Sequence, residues 1–368
     1  MSKGKIREMF PGGNTSQGFF SYYDHILPQE RASKIFCIKG GPGVGKSTFM
    51  RKIGCEMLNM GYDVEFMHCS SDNNSLDGVV IPAINVALLD GTAPHVVDPK
   101  NPGAVDEIIN LGDFWEEEEI RKNKEEILNA NKEVGRTFRR AYRYLKAAYS
   151  IYQDNEEIVE SCCVDKAKIN EVSEKLMKEH FGDKEIASCE GKDRRLFASA
   201  ITPNGLVNYL HTLIDTEKTY VFKGMPGTGT QRILQKLKEA ALERGFDVES
   251  FYCALNPNKI EHLIVPGINL SFTTSNKYHS VNVSNSTEIN LDEYLHGSQL
   301  EKYKEVIDNN SANFEILLDT VVKTISKAKK IHDQLESYYI PNMDFVSLQG
   351  CFEDTLNRVL KYAREKEC

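Results

Sequence analysis

The sequence predicts an α/β fold made of two tandem parallel-sheet domains, each with an added helical hairpin. Two observations lead to this prediction: one half of the chain repeats the other, and short apolar runs alternate with helical patterns within each half. Because strands that alternate with helices are typical of βαβ units, each half is expected to form a parallel sheet. A length of 368 residues also suits two or three domains better than one.

The repeat is visible at a constant spacing along the chain. Residues 34–98 align without gaps with residues 218–282, and 19 of the 65 aligned positions are identical. Each copy then ends in a charged, helix-rich stretch, which supplies the predicted hairpin. The predicted domains are residues 1–186 and residues 187–368, called below the first half and the second half.

The elements of the first copy follow from its local patterns. Residues 35–39 form an apolar run, which predicts a buried strand. A glycine-rich turn comes next, and residues 46–60 then have apolar side chains at helical spacing, ended by Gly61. Residues 63–69 and 86–89 are the next two predicted strands. The second copy has the same order of elements.

Composition and charge restrict the class of protein. The chain has 45 Lys and Arg against 54 Asp and Glu, a net charge of −9, whereas coating nucleic acid or an anionic membrane requires a basic face. No apolar run approaches the roughly 18 to 20 residues of a membrane span. The nine cysteines include no C-x-x-C pair, which favours reduced thiols. We therefore expect a cytoplasmic protein that has no membrane partner and is not specialised for nucleic acid.

The glycine-rich turn of the first copy has the pattern G-x-x-x-x-G-K-[ST] between a predicted strand and a predicted helix. Glycines let backbone N–H groups surround a phosphate, and the start of a helix directs its positive end at the same anion. Lys46 would contact the β- and γ-phosphates, and Ser47 would offer a hydroxyl to Mg²⁺. The predicted nucleotide-binding residues are Gly40, Gly41, Pro42, Gly43, Val44, Gly45, Lys46, Ser47 and Thr48.

The second copy keeps the glycines but loses the reactive side chains. Thr230 and Gln231 stand where the first copy has Lys46 and Ser47, and Thr274 stands where it has Asp90. The joint loss of Lys, Ser and Asp suggests that the three serve one Mg²⁺–nucleotide site. The predicted catalytic residues are Lys46 and Asp90, and the predicted metal ligands are Ser47 and Asp90; a simple turn aspartate is the alternative for Asp90. Weak or no turnover is expected at the second copy, unless Arg232 or Lys223 replaces the missing charge.

Other polar residues leave alternatives open. A group after the second predicted strand could contact a metal-bound water or a substrate, or could cap a surface turn; its members are Asp72, Asn73, Asn74 and Asp77. His95 and His279 are equivalent in the two copies, which favours a structural role. Five arginines could deliver a positive charge to a transferred phosphate, although a solvated face is the commoner role of such residues. They are Arg139, Arg140, Arg143, Arg194 and Arg195.

On these residues the chain resembles the P-loop NTPase superfamily. More narrowly, it is similar to a bacterial family of tandem-duplicated P-loop proteins labelled as ATPases or nucleotide kinases. The similarity includes Gly-Gly-Asn-Thr-Ser-Gln-Gly at residues 12–18 and Leu-Leu-Asp-Gly-Thr-Ala-Pro-His at residues 88–95. It implies two P-loop NTPase-like domains, an intact Walker A loop at residues 40–48 that binds ATP, and a degenerate loop in the second half.

The leading hypothesis is Mg²⁺-dependent ATP hydrolysis in the first half, regulated by the degenerate second half. No acidic residue directly follows Asp90, so Glu65, Asp72 or Asp77 would have to activate the water. That gap makes a nucleotide or small-molecule kinase the alternative. A third hypothesis is a nucleotide-gated module for a protein or nucleic-acid partner, suggested by the mixed basic and aromatic run at residues 138–146.

Overall fold

The structure is a computed structural model, and it describes residues 3–92, 97–283 and 286–367. The strands of the first half are β1 (Ile6–Met9), β2 (Gly12–Thr15), β3 (Gly18–Ser21), β4 (Lys34–Lys39), β5 (Val64–Cys69), β6 (Asp72–Ile81), β7 (Val86–Asp90) and β8 (Asp106–Asn110). Those of the second half are β9 (Asp193–Leu196), β10 (Ser199–Thr202), β11 (Gly205–Asn208), β12 (Lys218–Lys223), β13 (Val248–Tyr252), β14 (Ile260–Val265), β15 (Leu270–Ser275) and β16 (Ser286–Asn290). The helices are α1 (Lys46–Asn59), α2 (Glu117–Arg121), α3 (Lys124–Ile158), α4 (Lys166–Phe181), α5 (Leu210–Leu213), α6 (Thr230–Glu243), α7 (Gly297–Glu336) and α8 (Phe345–Glu367).

Each half forms a six-stranded sheet, and the two sheets have equivalent strand orders. The first sheet has the order β1-β5-β6-β7-β4-β8, and the second has β9-β13-β14-β15-β12-β16. Three of the five strand pairs in each sheet are parallel. The predicted α/β class is therefore confirmed, with one mainly parallel sheet in each half.

The exception to parallel pairing is a strand that the sequence analysis did not predict. β6 runs antiparallel to both β5 and β7, and β14 runs antiparallel to both β13 and β15. Residues 72–77 were expected to follow a strand as a turn or ligand-binding loop, but they belong to β6. The strand was missed because its first four residues are polar and because register shifts in its pairing with β5 interrupt the alternation.

The long helices are exchanged between the halves. α3 and α7 pack along each other in antiparallel orientation, with Asn155 near the end of α3 donating a hydrogen bond to Ser311 near the start of α7. α4 then packs against α6 of the second half, and α8 packs against α1 of the first half. Each tail hairpin thus completes the core of the other half. Within the described ranges, no helix has the length and apolarity that crossing a membrane would require.

A buried cluster of four charges joins the two sheets. Arg7 of β1 binds Glu65 of β5 and Glu249 of β13. Arg194 of β9 binds the same two carboxylates, at 2.5 Å to Glu65 and 3.0 Å to Glu249. Burial opposes the ionisation of Glu249, but the two arginines outweigh it and lower the pKa of Glu249 to about 2. Equivalent strands of the two halves therefore meet through one shared ionic network.

The lowered pKa of Glu249 predicts acid sensitivity. A carboxyl with a depressed folded-state pKa contributes stability that is complete above its ordinary value of 4.5 and is lost as the pH falls toward about 2. We expect urea denaturation to give a smaller free energy of unfolding at about pH 3 than at about pH 6. Because other carboxyls also titrate, Glu249→Gln is the control. If that variant loses as much stability with acid as the wild type, Glu249 does not contribute.

Candidate functional site

The first glycine-rich loop, residues 40–45, connects β4 to α1. Gly43 and Gly45 have φ angles of +70° and +90°, in the left-handed region that favours glycine, and Gly45 directly precedes α1. Among the residues that the structure describes, no side-chain hydrogen bond caps the start of α1. The first N–H groups of this helix therefore remain available to an anion, and the positive end of the helix dipole lies at the same place.

The side chains of Lys46, Asp90 and Thr92 lie beside this loop. Nζ of Lys46 lies 3.8 Å from Oδ2 of Asp90 and donates hydrogen bonds to the carbonyl oxygens of Gly40 and Gly41. The other carboxylate oxygen of Asp90 accepts hydrogen bonds from the backbone N–H and the hydroxyl of Thr92. These contacts hold the Asp90 carboxylate at the end of β7, beside the lysine.

Ser47 is held in the first turn of α1. Its hydroxyl oxygen accepts a hydrogen bond of 2.9 Å from the backbone N–H of Leu76 in β6. The hydroxyl hydrogen and the second lone pair are not used by this contact. Of the three side chains predicted to act together, Lys46 and Ser47 thus begin α1, whereas Asp90 ends β7, the strand that pairs with β4.

Asp77 lies beside Asp90, on the neighbouring strand. The antiparallel ladder of β6 with β7 ends at the pair Gly78–Leu89, so Asp77 and Asp90 are the first residues beyond it on the two strands. Asp77 is only 3% exposed. The pKa of Tyr23 is raised well above its usual value by burial and then by Asp77, with Asp90 also contributing. The Tyr23 hydroxyl is therefore close enough to the Asp77 carboxylate to respond to its charge, and Asp90 has a smaller effect.

The two other acids considered for water activation are engaged elsewhere. Glu65 is held by Arg7 and Arg194 in the buried charge cluster. Asp72 binds Lys329 of α7 at 3.2 Å and also accepts hydrogen bonds from the residues that follow it in β6. Of the three acids, Asp77 is the one just beyond the end of the β6–β7 ladder, where Asp90 also lies.

The second loop, residues 224–229, repeats the backbone geometry of the first. Gly227 and Gly229 have φ angles of +90° and +102°, and α6 begins directly afterwards at Thr230. A cavity of about 490 Å³ adjoins this loop, and its lining includes Arg232, Lys236 and Lys259. Lys259 forms an ion pair with Glu156 of α3. Of the two cations considered as replacements for the missing lysine, Arg232 lines this cavity, whereas Lys223 forms an ion pair with Glu288.

The exchanged tails lie directly on both loops. A Cβ at Gly43 would be 2.9 Å from Cγ1 of Ile340 and 3.0 Å from the carbonyl oxygen of Glu336. At the second loop, a Cβ at Gly227 would collide with the backbone of Glu156, near the end of α3. The absence of a side chain at these glycines therefore serves both the turn and the close approach of a helix from the other half.

This packing predicts unequal effects of two glycine substitutions. Gly103 has a φ angle of +80° and nothing within 4 Å of a built Cβ, so Gly103→Ala reports the backbone penalty alone, about 1–2 kcal/mol. Gly43→Ala adds a clash with the tail, so we expect a further loss of about 1–3 kcal/mol in the free energy of unfolding. Urea denaturation of both variants measures the difference. If both variants lose the same free energy of unfolding, the tail does not pack closely against the loop.

The arginines considered as charge donors have other surroundings. Arg194 is part of the buried charge cluster, and Arg195 binds Asp193 at 2.9 Å. Arg139, Arg140 and Arg143 are exposed on α3. The aromatic side chains interleaved with them instead pack against the core between α3 and α7; they are Phe138, Tyr142 and Tyr144.

His95 and His279 occupy equivalent positions in the two copies. His95 lies outside the described residues. His279 is buried and is hydrogen-bonded to Thr274, the residue that replaces Asp90.

A scan against protein-family models and searches of curated proteins and of solved structures found no match to this chain.

Proposed function

We propose that this protein hydrolyses ATP with Mg²⁺ at the first loop, and that the second half is a degenerate partner that regulates this site. The observation that carries the proposal is the approach of Lys46 to Asp90, at 3.8 Å, beside a glycine loop that leads directly into α1, with Asp77 just beyond the end of the β6–β7 ladder. That set combines an anion cradle, a mobile cation and two carboxylates, which phosphoryl transfer to water requires.

The residues present fit a Mg²⁺–triphosphate. The glycines at positions 43 and 45 adopt backbone conformations in which N–H groups can surround a phosphate. Ser47 retains an unused lone pair, and Asp90 places a carboxylate near the same helix start, so these two residues would hold the metal. When bound, Mg²⁺ would supply neutralisation of the charge on the β- and γ-phosphates.

The chain's own residues have separable roles in this proposal. The loop N–H groups and Lys46 would bind phosphate oxygens, because both offer positive charge at the start of α1. Asp77 would orient the attacking water and accept its proton, because it lies with Asp90 just beyond the end of the β6–β7 ladder. Tyr23, whose pKa responds to Asp77, would position that carboxylate.

The second half would act through its tail. Glu336, the last residue of α7, and Ile340, just beyond it, lie close to Gly43. A nucleotide that changed the conformation of the first loop would therefore also displace this tail of the second half. The second loop would not need to turn over nucleotide for this role. It is contacted in the same way by the tail of the first half, because the backbone of Glu156 in α3 lies against Gly227.

Asp77→Asn is expected to reduce phosphate release from Mg²⁺–ATP by about 10²–10⁴-fold while leaving ATP affinity nearly unchanged, because only the proton acceptor is lost. Phosphate release and equilibrium dialysis with labelled ATP measure the two quantities. Asp72→Asn is the matched control, since Asp72 binds Lys329 on a more exposed part of the same strand. If Asp72→Asn lowers turnover more than Asp77→Asn, the assignment is wrong.

A kinase is the second candidate, favoured by the tail that covers the first loop. Gly41 lies against Trp115 and Tyr339, an arrangement suited to excluding water from a transferred phosphate. Phosphate and ADP release, measured together, separate the two functions. A hydrolase yields equal amounts of both without an acceptor; a kinase yields ADP without phosphate when an acceptor such as a nucleoside monophosphate is supplied.

A further inference from the structure

A β-bulge in the second sheet brings two neighbouring side chains together. Phe251 of β13 pairs with His262 of β14, but the next residue, Tyr252, pairs with Ile260, which leaves Glu261 as the extra residue. Adjacent residues in a regular strand point to opposite faces, whereas a bulge changes the direction of the side chain. Glu261 and His262 can therefore contribute to the same site.

His279 completes a compact buried group with these two residues. Each of Glu261, His262 and His279 offers a ligand atom, and the three atoms lie within 4.8 Å of one another. The three residues are 6%, 1% and 5% exposed. Nδ1 of His279 lies 3.8 Å from Oε2 of Glu261, too far for a direct hydrogen bond. The spacing is suited to an atom placed between the side chains.

Two threonines hold the imidazole rings through their other nitrogens. Nε2 of His279 is 2.6 Å from the hydroxyl oxygen of Thr274, and Nδ1 of His262 is 2.7 Å from that of Thr273. Because the Thr273 hydroxyl also donates to the carbonyl oxygen of Thr274, it accepts from the Nδ1–H of His262. Nε2 of His262 then carries the lone pair, and in the part of the chain that is described it has no hydrogen-bond partner.

This arrangement has the form of a metal site with its supporting shell. A metal-bound histidine ordinarily donates its second ring N–H to a neighbouring oxygen, which fixes the ring and its tautomer. A cavity of about 40 Å³, lined in part by Glu261, His279 and Asn276, adjoins the group and has room for a water molecule.

The duplication shows that the group belongs to the second half. The equivalents of Glu261 and His262 in the first half are Asp77 and Gly78. Glycine supplies no ligand, so the first half cannot form the same set. The second half thus has an imidazole that the first lacks, and has lost the Lys46, Ser47 and Asp90 equivalents.

We propose that Glu261, His262 and His279 bind one zinc-type divalent ion and thereby tie β14 to the segment after β15. Two imidazoles and one carboxylate, with water in the fourth position, are a donor set that zinc accepts and that the oxygen-preferring ions Mg²⁺ and Ca²⁺ do not favour. The site is separate from the first loop, and it stands whether or not the first loop hydrolyses ATP.

Zinc titration of the purified full chain against a fluorescent chelator tests this proposal. We expect one tightly bound equivalent per chain and, for His262→Ala, an affinity at least about 100-fold weaker. His332→Ala is the matched control, because His332, Asp333 and Glu336 form a second His-containing cluster in the described part of the chain, and this cluster is more exposed. That variant is expected to retain the tightly bound equivalent.

A second variant leaves all three ligands in place. Thr273→Val removes the partner of His262 Nδ1 and, with it, the long hydrogen bond to the carbonyl oxygen of Thr274. We expect about 10–100-fold weaker zinc binding, with the fold retained by circular dichroism. Cobalt(II) in place of zinc should give the intense visible absorption of a four-coordinate ion in the wild type. Failure of the wild type to take up an equivalent, or unchanged binding in His262→Ala, would overturn the proposal and leave the group as a neutral hydrogen-bonded part of the core.

Discussion

Lys46→Ala is expected to lower phosphate release from Mg²⁺–ATP by at least about 10²–10³-fold. Nζ of Lys46 is the mobile positive charge at the first loop, held by the carbonyl oxygens of Gly40 and Gly41 and close to Asp90. Phosphoryl transfer depends on groups that neutralise charge in the transition state, and alanine leaves that charge to the loop amides and the metal. The steady-state rate of phosphate release measures the effect.

The duplication supplies a matched control for this substitution. Thr230 begins α6 as Lys46 begins α1, so Thr230→Ala makes an equivalent truncation at the second loop. We expect it to leave phosphate release nearly unchanged, and circular dichroism should show both variants folded. If Lys46→Ala retains more than about a tenth of the wild-type rate, or if Thr230→Ala is the more damaging change, the first loop is not the site of hydrolysis.

Arg194→Met is expected to cause the largest loss of stability, about 3–5 kcal/mol in the free energy of unfolding. Its guanidinium binds Glu65 and Glu249, whose side chains are only 3% and 11% exposed. Removing one partner of a buried network leaves carboxylates without full compensation, and that cost exceeds the loss of a surface ion pair. Because the cluster joins β1 and β5 to β9 and β13, the two halves should also separate more readily, which limited proteolysis would detect.

The neighbouring arginine provides the control for the cluster. Arg195 is 45% exposed, and its largely buried partner Asp193 also binds Lys238 and Ser250. Because Asp193 keeps these two partners, Arg195→Met should cost less than about 1 kcal/mol. Urea denaturation of the two variants under the same conditions gives both values. Similar losses would show that the buried cluster contributes no more than an ordinary surface pair.

Local patterns predicted the parts of the molecule that depend on local chemistry. The glycine loop and its following helix could be predicted because Gly43, Gly45 and Lys46 occupy consecutive positions whose spacing is set by one turn. Comparison of the copies identified Asp90, because its replacement by Thr274 accompanies the loss of Lys46. The structure brings Asp90 within 3.8 Å of Lys46, at the end of the strand beside the loop.

The exchange of the tail helices could not be predicted from the sequence. Both halves have the same order of elements, so a hairpin has an equivalent surface available on its own half and on the other half. Apolar spacing shows that Ile169 and Leu348 face a core, but it does not say which copy of the core receives them. The identity of the covering tail depends on the connection between elements and on long-range packing.

The proposed metal site could not be predicted from the sequence for a different reason. Glu261 and His262 are consecutive, which in a regular strand places them on opposite faces. The bulge that brings them together arises in the pairing of β13 with β14, and His279 follows only after another strand and a turn. Comparison of the repeats indicated only that His279 and His95 are equivalent.

A single-turnover experiment tests most directly whether ATP is hydrolysed at the first loop alone. Protein in excess over γ-labelled Mg²⁺–ATP, quenched over time, measures bound nucleotide and released phosphate in the same samples. We expect wild-type protein to convert all the bound ATP to phosphate, and Lys46→Ala to form no phosphate on that timescale. Wild-type protein that binds ATP and releases it unchanged would contradict the account.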